Sequence, residues 1–373
     1  MAPCTVLAVA TVISSTAREE LERGMTLPAS FYSDPAVHEL ELDRIFGRTW
    51  QYAGVLEQVA EPGAFLTCRA GKTPVAVVRG RDEELRAFVN VCRHRGHEVM
   101  QGCGRRETLQ CPYHAWTYDL DGSLRKAPRS EREPGFDNAD WSLRPMLVDT
   151  WGPLVYVNPD LDAAPLAETL GDLPAELLRR GLDPSTFDYK GRSRALLINA
   201  NWKIVVENFL ECYHCPVAHQ SFSRLLDVDP DAYQLTASRW SSSQYAPVRS
   251  SSGRELPYDP TGEITHSQFH FIWPNWTLNT LPGPPHIRVL VFQPVDADRT
   301  ATFVDGFWAP GTPDEIIDDI TSFGAVVGKE DVELVESVHR GLRSGAIERG
   351  RLLLTSEHLI QHFQLLVHDA LSD

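Results

Sequence analysis

Short apolar runs separated by turn residues fill the stretch from Trp50 to Pro159, and helical spacing of apolar positions flanks it on both sides. Within that stretch Ala64–Cys68, Val75–Arg79, Ala87–Cys92, Leu109–Cys111, Thr117–Leu120 and Leu154–Val157 read as strands, with "VRGRDEE" and "DLDGS" as turns between them. Ahead of it, Pro28 and Pro35 punctuate a short lead and Ala36–Phe46 has the spacing of a helix. Beyond it, helices are predicted over Leu166–Gly181 and Asn201–His214, and strands from Ala232 to Trp308, including "HFIWPNWTLNT" and "IRVLVFQPV". Two further helices close the chain, Pro313–Ser344 with a break expected near Gly328, and Ser356–Leu371. The fold class is α+β. Residues 1–24 are expected to be a disordered extension or the product of a start codon set too far upstream. Residues 25–47 read as a helical lead packing on the second domain, 48–159 as a β-rich domain, and 160–373 as an α+β domain.

A chain of 373 residues buries a large core without metals or disulfides to hold it, so a metal bound here serves chemistry. The 35 basic and 51 acidic residues give a net charge of −16 and no basic patch, which argues against nucleic acid as a partner. No run of about 18 apolar residues is present to span a bilayer. Val6–Ile13 lacks the basic lead of a signal peptide, and the reading is a cytoplasmic protein. Among seven cysteines, Cys92, Cys103 and Cys111 cluster, as do Cys212 and Cys215. Interleaved with histidines, these clusters suggest metal sites in a reducing compartment instead of a disulfide framework.

The segment "CRHRGHEVMQGCGRRETLQCPYHAW" holds two short loops, Cys92-x-His94 and Cys111-x2-His114. Each offers one thiolate and one imidazole, which suits a two-iron, two-sulfide cluster with both thiolates on one iron and both imidazoles on the other. The competing reading is a structural zinc site, but zinc sites usually pair like ligands. Cys103 and His97 lie between the pairs and are read as supporting or packing residues, while Gly96, Gly102, Gly104 and Pro112 suit tight loops.

The segment "NANWKIVVENFLECYHCPVAHQSF" carries Glu207, Glu211, His214 and His219. On a continuous helix Glu211 and His214 would share a face, and Pro216 would end or bend that helix so that His219 returns toward His214. Two imidazoles and one carboxylate on one face of an octahedron form the site of non-haem Fe(II) oxygenases. The carboxylate is sought in "GKEDVELVESVHRGL", where Glu330, Asp331, Glu333 and Glu336 are available. Asp331 is the choice, although spacing does not single it out, and Glu333 and Glu336 read as solvated.

From Met25 onward the chain resembles the oxygenase (α) component of Rieske non-haem iron ring-hydroxylating oxygenases. The cluster loops "CRHRG…CPYHAWTYDLDG" match the family, with Ala115 where Gly is usual. The resemblance implies a β-rich Rieske domain followed by a helix-grip catalytic domain with an antiparallel sheet and helices. It assigns Cys92, His94, Cys111 and His114 to a [2Fe-2S] cluster. His214, His219 and Asp331 go to a mononuclear Fe(II), Asp331 being matched through "EDVELVE". It also implies a homotrimer or other ring, with electrons crossing from one subunit's cluster to its neighbour's iron through Glu211, where many relatives have Asp. The Glu in "ENFLECYH" is similar to the branch acting on quaternary ammonium compounds such as carnitine, glycine betaine and choline.

No G-x-G-x-x-G follows a strand, so electrons from NAD(P)H are expected through a separate reductase, with or without a ferredoxin. The expected reaction is O2-dependent hydroxylation of a small organic molecule, with N-demethylation as one outcome. Phe209, Tyr213, Phe271, Trp273, Trp276, Phe307 and Trp308 are candidates for a cage around a cation, ordinary core packing being the alternative for each. The competing functions are attack on an aromatic substrate, a pure Rieske electron carrier, and a zinc-binding structural protein.

Overall fold

The computed structural model describes residues 15–250 and 255–372. The chain divides into two compact units: Ile45–Glu168 form one, and the segments up to Arg44 and from Thr169 onward form the other.

The larger unit begins with helices α1 (Ser15–Glu22) and α2 (Pro35–Arg44). Part of the expected disordered extension is therefore a helix, for a local reason. Leu21 is buried, and Gly24, at φ 87°, closes the turn with N–H bonds from Gly24 to the Leu21 carbonyl (2.8 Å) and from Met25 to the Glu20 carbonyl (3.0 Å). The Gln361 amide caps the Leu21 and Glu22 carbonyls at 2.8 and 2.9 Å. Residues 1–14 of that expectation lie outside the described residues.

The smaller unit is antiparallel β structure. Its strands are β1 (Gln51–Val55), β2 (Ala64–Ala70), β3 (Thr73–Arg79), β4 (Leu85–Val89), β5 (Cys103–Arg105), β6 (Leu109–Gln110), β7 (Thr117–Tyr118), β8 (Leu124–Lys126), β9 (Pro145–Trp151) and β10 (Leu154–Asn158). A seven-stranded sheet runs β1-β10-β9-β4-β3-β2-β5, and β6-β7-β8 form a small sheet. β3 is apolar without alternation because both of its faces are covered. Val75 and Val77 enter a core with Val155 and Val157, while Ala76 and Val78 enter another with Phe88, Cys92, Cys111 and Tyr118. That second core backs the two Cys/His loops.

In chain order, α3 (Leu166–Leu170) and α4 (Leu173–Arg179) replace the single helix expected over Leu166–Gly181, because Gly171 adopts φ 53° between them. The larger unit continues with β11 (Asp188–Arg192), β12 (Leu196–Ile198), α5 (Trp202–Phe209), α6 (Cys215–Ala218) and α7 (Gln220–Leu225). There follow β13 (Gln234–Ala237), β14 (Ser241–Pro247), β15 (His266–Ile272), β16 (Trp276–Thr280), β17 (His286–Asp296), β18 (Arg299–Trp308), α8 (Asp314–Arg343) and α9 (Leu354–Ser372). An eight-stranded antiparallel sheet, β11-β18-β17-β16-β15-β14-β13 with β12 also on β18, carries the helices. The break expected at Gly328 is absent. One helical glycine costs about 1 kcal/mol, and α8 is anchored on both sides of it by buried Ile320, Phe323, Val335 and His339.

A buried polar network fixes α5. The Asn201 side chain caps it by accepting the Lys203 N–H at 3.1 Å. Lys203 and Glu41, both fully buried, form an ion pair, and Trp202 Nε1 donates to Glu41 Oε2 at 2.8 Å. Glu207 Oε1 accepts from Tyr32 Oη at 2.7 Å and from Gln364 Nε2 at 2.9 Å, and burial pushes this carboxyl up to about 7. α2, α5 and α9 are thus tied together by side chains that have no water to fall back on. Lys203→Met is predicted to leave Glu41 buried without its cation and to cost about 3–5 kcal/mol. Urea unfolding checks this, and a loss below about 1 kcal/mol would contradict the network's role.

Candidate active site

The two Cys/His loops of the smaller unit repeat one backbone design. In the first, Cys92 N–H donates to the His97 carbonyl (2.8 Å) and Gly96 N–H to the Cys92 carbonyl (3.0 Å). In the second, Cys111 N–H donates to the Trp116 carbonyl (2.8 Å) and Ala115 N–H to the Cys111 carbonyl (3.0 Å). Each loop turns through a left-handed residue four positions after its cysteine, Gly96 at φ 76° and Ala115 at φ 57°. The cysteines are buried and the histidines exposed. The His94 and His114 rings lie 4.6 Å apart, and His94 stacks on Trp116 at 5.1 Å. Burial pushes the Cys111 thiol up and its hydrogen bond with Cys92 adds to this, while Tyr118 Oη lies 3.4 Å from Cys92 Sγ. Paired thiols on one side and paired imidazoles on the other are the donor set of a mixed-ligand [2Fe-2S] centre. Cys103 is exposed on β5, and His97 turns its Nδ1 to the Glu98 carbonyl at 2.5 Å.

In the larger unit α5 ends at Phe209, so Glu211 and His214 sit on the connection to α6 and not on a shared helix. Pro216 lies in the first turn of α6, where a missing N–H costs nothing, and so helps start a helix where it was expected to end one. His214 and His219 bracket α6, and Asp331 reaches them from α8. His214 Nε2 and His219 Nε2 are 3.0 Å apart, and Asp331 Oδ1 lies 2.9 Å from His219 Nε2 and 3.5 Å from His214 Nε2. One ligand atom from each of the three residues falls within 4.8 Å of the others. The Nδ1 atoms face away from this point, each toward a carboxylate. His214 Nδ1 pairs with Glu211 Oε1, and His219 Nδ1 lies 2.7 Å from Glu330 Oε2. Glu211 Oε2 also accepts the Tyr213 and His214 N–H groups. Burial works against a charged His214 ring, yet its bonds to Asp331 and Glu211 outweigh burial and lift it to about 9.

Residues 182–373 match the ring hydroxylating alpha subunit (catalytic domain) family, and residues 49–146 match the Rieske [2Fe-2S] domain family. The chain belongs to the Rieske ring-hydroxylating oxygenase α-subunit family. It is 36% identical to the carnitine monooxygenase oxygenase subunit of Acinetobacter pittii, over 92% of this chain and 94% of that one. It is 32% identical to the chloroplastic choline monooxygenase of Amaranthus tricolor, over 94% of this chain and 79% of that one. The crystal structure of the quaternary ammonium Rieske monooxygenase CntA with an inhibitor superposes with a TM-score of 0.84 at 32% identity, covering 95% of this chain and 97% of that one. The protein is therefore an oxidoreductase, the terminal oxygenase component of a Rieske system. Its cofactors are a Rieske [2Fe-2S] cluster and a mononuclear iron, and it uses O2 and reductase-supplied electrons to oxygenate a small organic substrate.

Other residues of this Rieske oxygenase stand elsewhere than expected. Cys212 and Cys215 do not form a metal site: they are joined in a disulfide that loops around His214. Glu336 is not merely solvated, since it accepts both the Asn199 N–H (3.0 Å) and its side-chain amide (2.9 Å). Of the seven candidate cage aromatics, Phe271, Trp273, Trp276, Phe307 and Trp308 are buried in the core, and Tyr213 is 60% exposed. Phe209 packs near Phe269 and Phe292. Glu330 is the residue whose contact the sequence reading missed. The signal available was two consecutive acids, which on a helix point about 100° apart and so can meet a metal and the back of its ligand separately.

Ala115→Gly is expected to relieve left-handed strain of about 1 kcal/mol and raise the melting temperature of the holoprotein. A lower melting temperature would contradict the strain. Since His214 holds its proton up to about pH 9, a divalent metal must displace it, and apparent affinity should rise as pH rises toward that value. Calorimetric titration of metal-depleted protein between about pH 6.5 and 8.5 tests the sign, with proton release accompanying binding. Glu330→Ala is expected to weaken metal binding about 10- to 100-fold in the same assay, and unchanged affinity would exclude a positioning role.

Proposed function

We propose that this Rieske oxygenase hydroxylates a quaternary ammonium compound at a carbon bonded to nitrogen, releasing an amine and a carbonyl product. The observation that carries this reading is likeness along almost the whole chain to enzymes named for such substrates, 36% identity over 92% of the chain for a carnitine monooxygenase subunit. Attack on a C–H bond beside the cationic nitrogen leaves a hydroxyl on that carbon. Collapse then breaks the C–N bond, with the hydroxyl proton passing to the departing amine.

In this reading Cys92, His94, Cys111 and His114 hold the cluster, and His214, His219 and Asp331 hold the iron. When bound, the cluster supplies electrons one at a time and the iron supplies the site of O2 activation. The chain's own contribution is orientation. Glu211 and Glu330 accept the Nδ1 protons of His214 and His219, so that loss of the Nε2 protons would leave both Nε2 atoms free to share a metal with Asp331. The exposed edges of His94 and His114 suit a docking electron acceptor, and Glu211 is the acid that links them to His214 across a subunit boundary. A ring of identical subunits, a homotrimer, follows from that role; electrons reach it from a separate reductase, and the cytoplasm is the compartment we assign to both. Among the described residues no helix is long and apolar enough to cross a membrane.

Reconstitution with a surrogate reductase under heavy-isotope O2 tests the substrate. A methylated ammonium compound should stimulate NADH and O2 consumption and yield the amine together with a carbonyl product. That product carries label when reduced in situ to the alcohol before its oxygen exchanges with water. Coupling to neutral aromatics alone would reject the cationic reading. Glu211→Gln should retain both metals and slow coupled turnover about 10- to 100-fold. Full activity in that variant would remove Glu211 from the electron path.

A further inference from the structure

The sheet of the larger unit carries a row of side chains with no part in the assignments above. Residues directly opposite across strands share a face. The pairs Gln244–Phe269, Phe269–Asn279, Asn279–Arg288 and Arg288–Gly306 link five such positions across β14 to β18. The Phe269 ring lies 6.4 Å from Phe209 and 5.9 Å from Phe222, and the Phe222 ring lies 6.2 Å from His219. The row therefore faces the helices that hold the two iron-side histidines.

Arg288 stands in this row with a glycine on either side of it. Its strand partner Gly306 has no side chain, and on α8 a Cβ at Gly324 would fall 2.3 Å from Arg288 Nη1. Any residue larger than glycine at 324 would displace the guanidinium. Gly324 precedes Asp331 by seven residues, so the two share a side of α8 about 10 Å apart along its axis. Among the described residues no carboxylate pairs with Arg288 and no carbonyl accepts from it. Burial alone acts on this guanidinium, drawing it below its usual range. Beside it in the row, Asn279 Oδ1 is buried without a partner among the described residues. A desolvated cation with no counter-charge is costly in a folded chain, and a ligand that brings the anion offsets that cost.

We propose that Arg288 receives a carboxylate of the substrate, which makes the preferred substrate a short zwitterion with a methylated ammonium at one end and a carboxylate at the other. The cationic end rests on the quaternary ammonium reading above, whereas the anionic end stands on the geometry of Arg288. An amino alcohol or a neutral aromatic leaves the guanidinium unpaired.

The probes are γ-butyrobetaine and its methyl ester, which share the cation and differ in the anionic charge. With holoenzyme and a surrogate reductase, the wild type is expected to favour the acid over the ester in kcat/KM by about a hundredfold. R288Q is expected to abolish that ratio and R288K to retain part of it. Calorimetry on the oxidised holoenzyme, which does not turn over, should return the same ratios for binding. Iron content and thermal melting verify that each variant is folded; if R288Q is not, the acid-to-ester ratio in wild type and R288K decides. Equal use of acid and ester by the wild type overturns the proposal, as does a preference for choline or a ratio that R288Q leaves intact. Failure of the underlying reading looks different: neither betaine probe couples to O2 consumption, while a neutral aromatic does.

Discussion

A metal-facing imidazole is a defined ligand only when its other nitrogen is held, and both histidines of the candidate metal site are held by carboxylates. Glu211 takes His214 from the connection after α5, and Glu330 takes His219 from α8, 111 residues away in sequence. The two acids fix ring orientation and tautomer, and with Asp331 they surround the histidine pair with negative charge suited to a divalent cation. The arrangement demands that α8 arrive in one register. A helix broken at Gly328 would turn the segment bearing Glu330 and Asp331 independently of the anchored turns before it. The uninterrupted run from Asp314 to Arg343 is thus a condition of the site as much as of the fold.

Chemistry that is local in sequence was legible, and chemistry assembled over distance was only partly so. The Rieske domain could be read because each Cys/His loop places a thiol and an imidazole within a few residues of a turn, and the repeated hydrogen-bond pattern is what such spacing builds. Asp331 could not be singled out by spacing, since it meets His219 across 112 residues. Pro216 misled because proline suits the first turn of a helix as well as the end of one. The Cys212–Cys215 disulfide was missed because cysteines among histidines look alike whether destined for a metal or for each other. Large aromatics fill cores as readily as they line pockets, so composition did not distinguish exposed Tyr213 from buried Trp276.

The buried polar groups of the larger unit divide into satisfied and unsatisfied sets. Lys203, Glu41, Glu207, Tyr32 and Gln364 satisfy one another, which is expected of polar atoms that specify how helices meet. The Arg288 guanidinium and Asn279 Oδ1 lie on the sheet face toward the helices around His214 and His219 and have no such partners among the described residues. Satisfied networks stabilise, whereas an unsatisfied buried group needs an explanation, and for Arg288 the proposed substrate carboxylate is one.

The smaller unit has one more consequence, which follows from its cysteines being buried and its histidines exposed. Tunnelling of an electron favours the shortest path, and for the cluster proposed here the shortest path to solvent would lead through the exposed imidazole edges of His94 and His114. In the proposed ring the neighbouring subunit is a fixed acceptor at that doorway, so only the part of the imidazole edge it leaves open remains for an incoming donor.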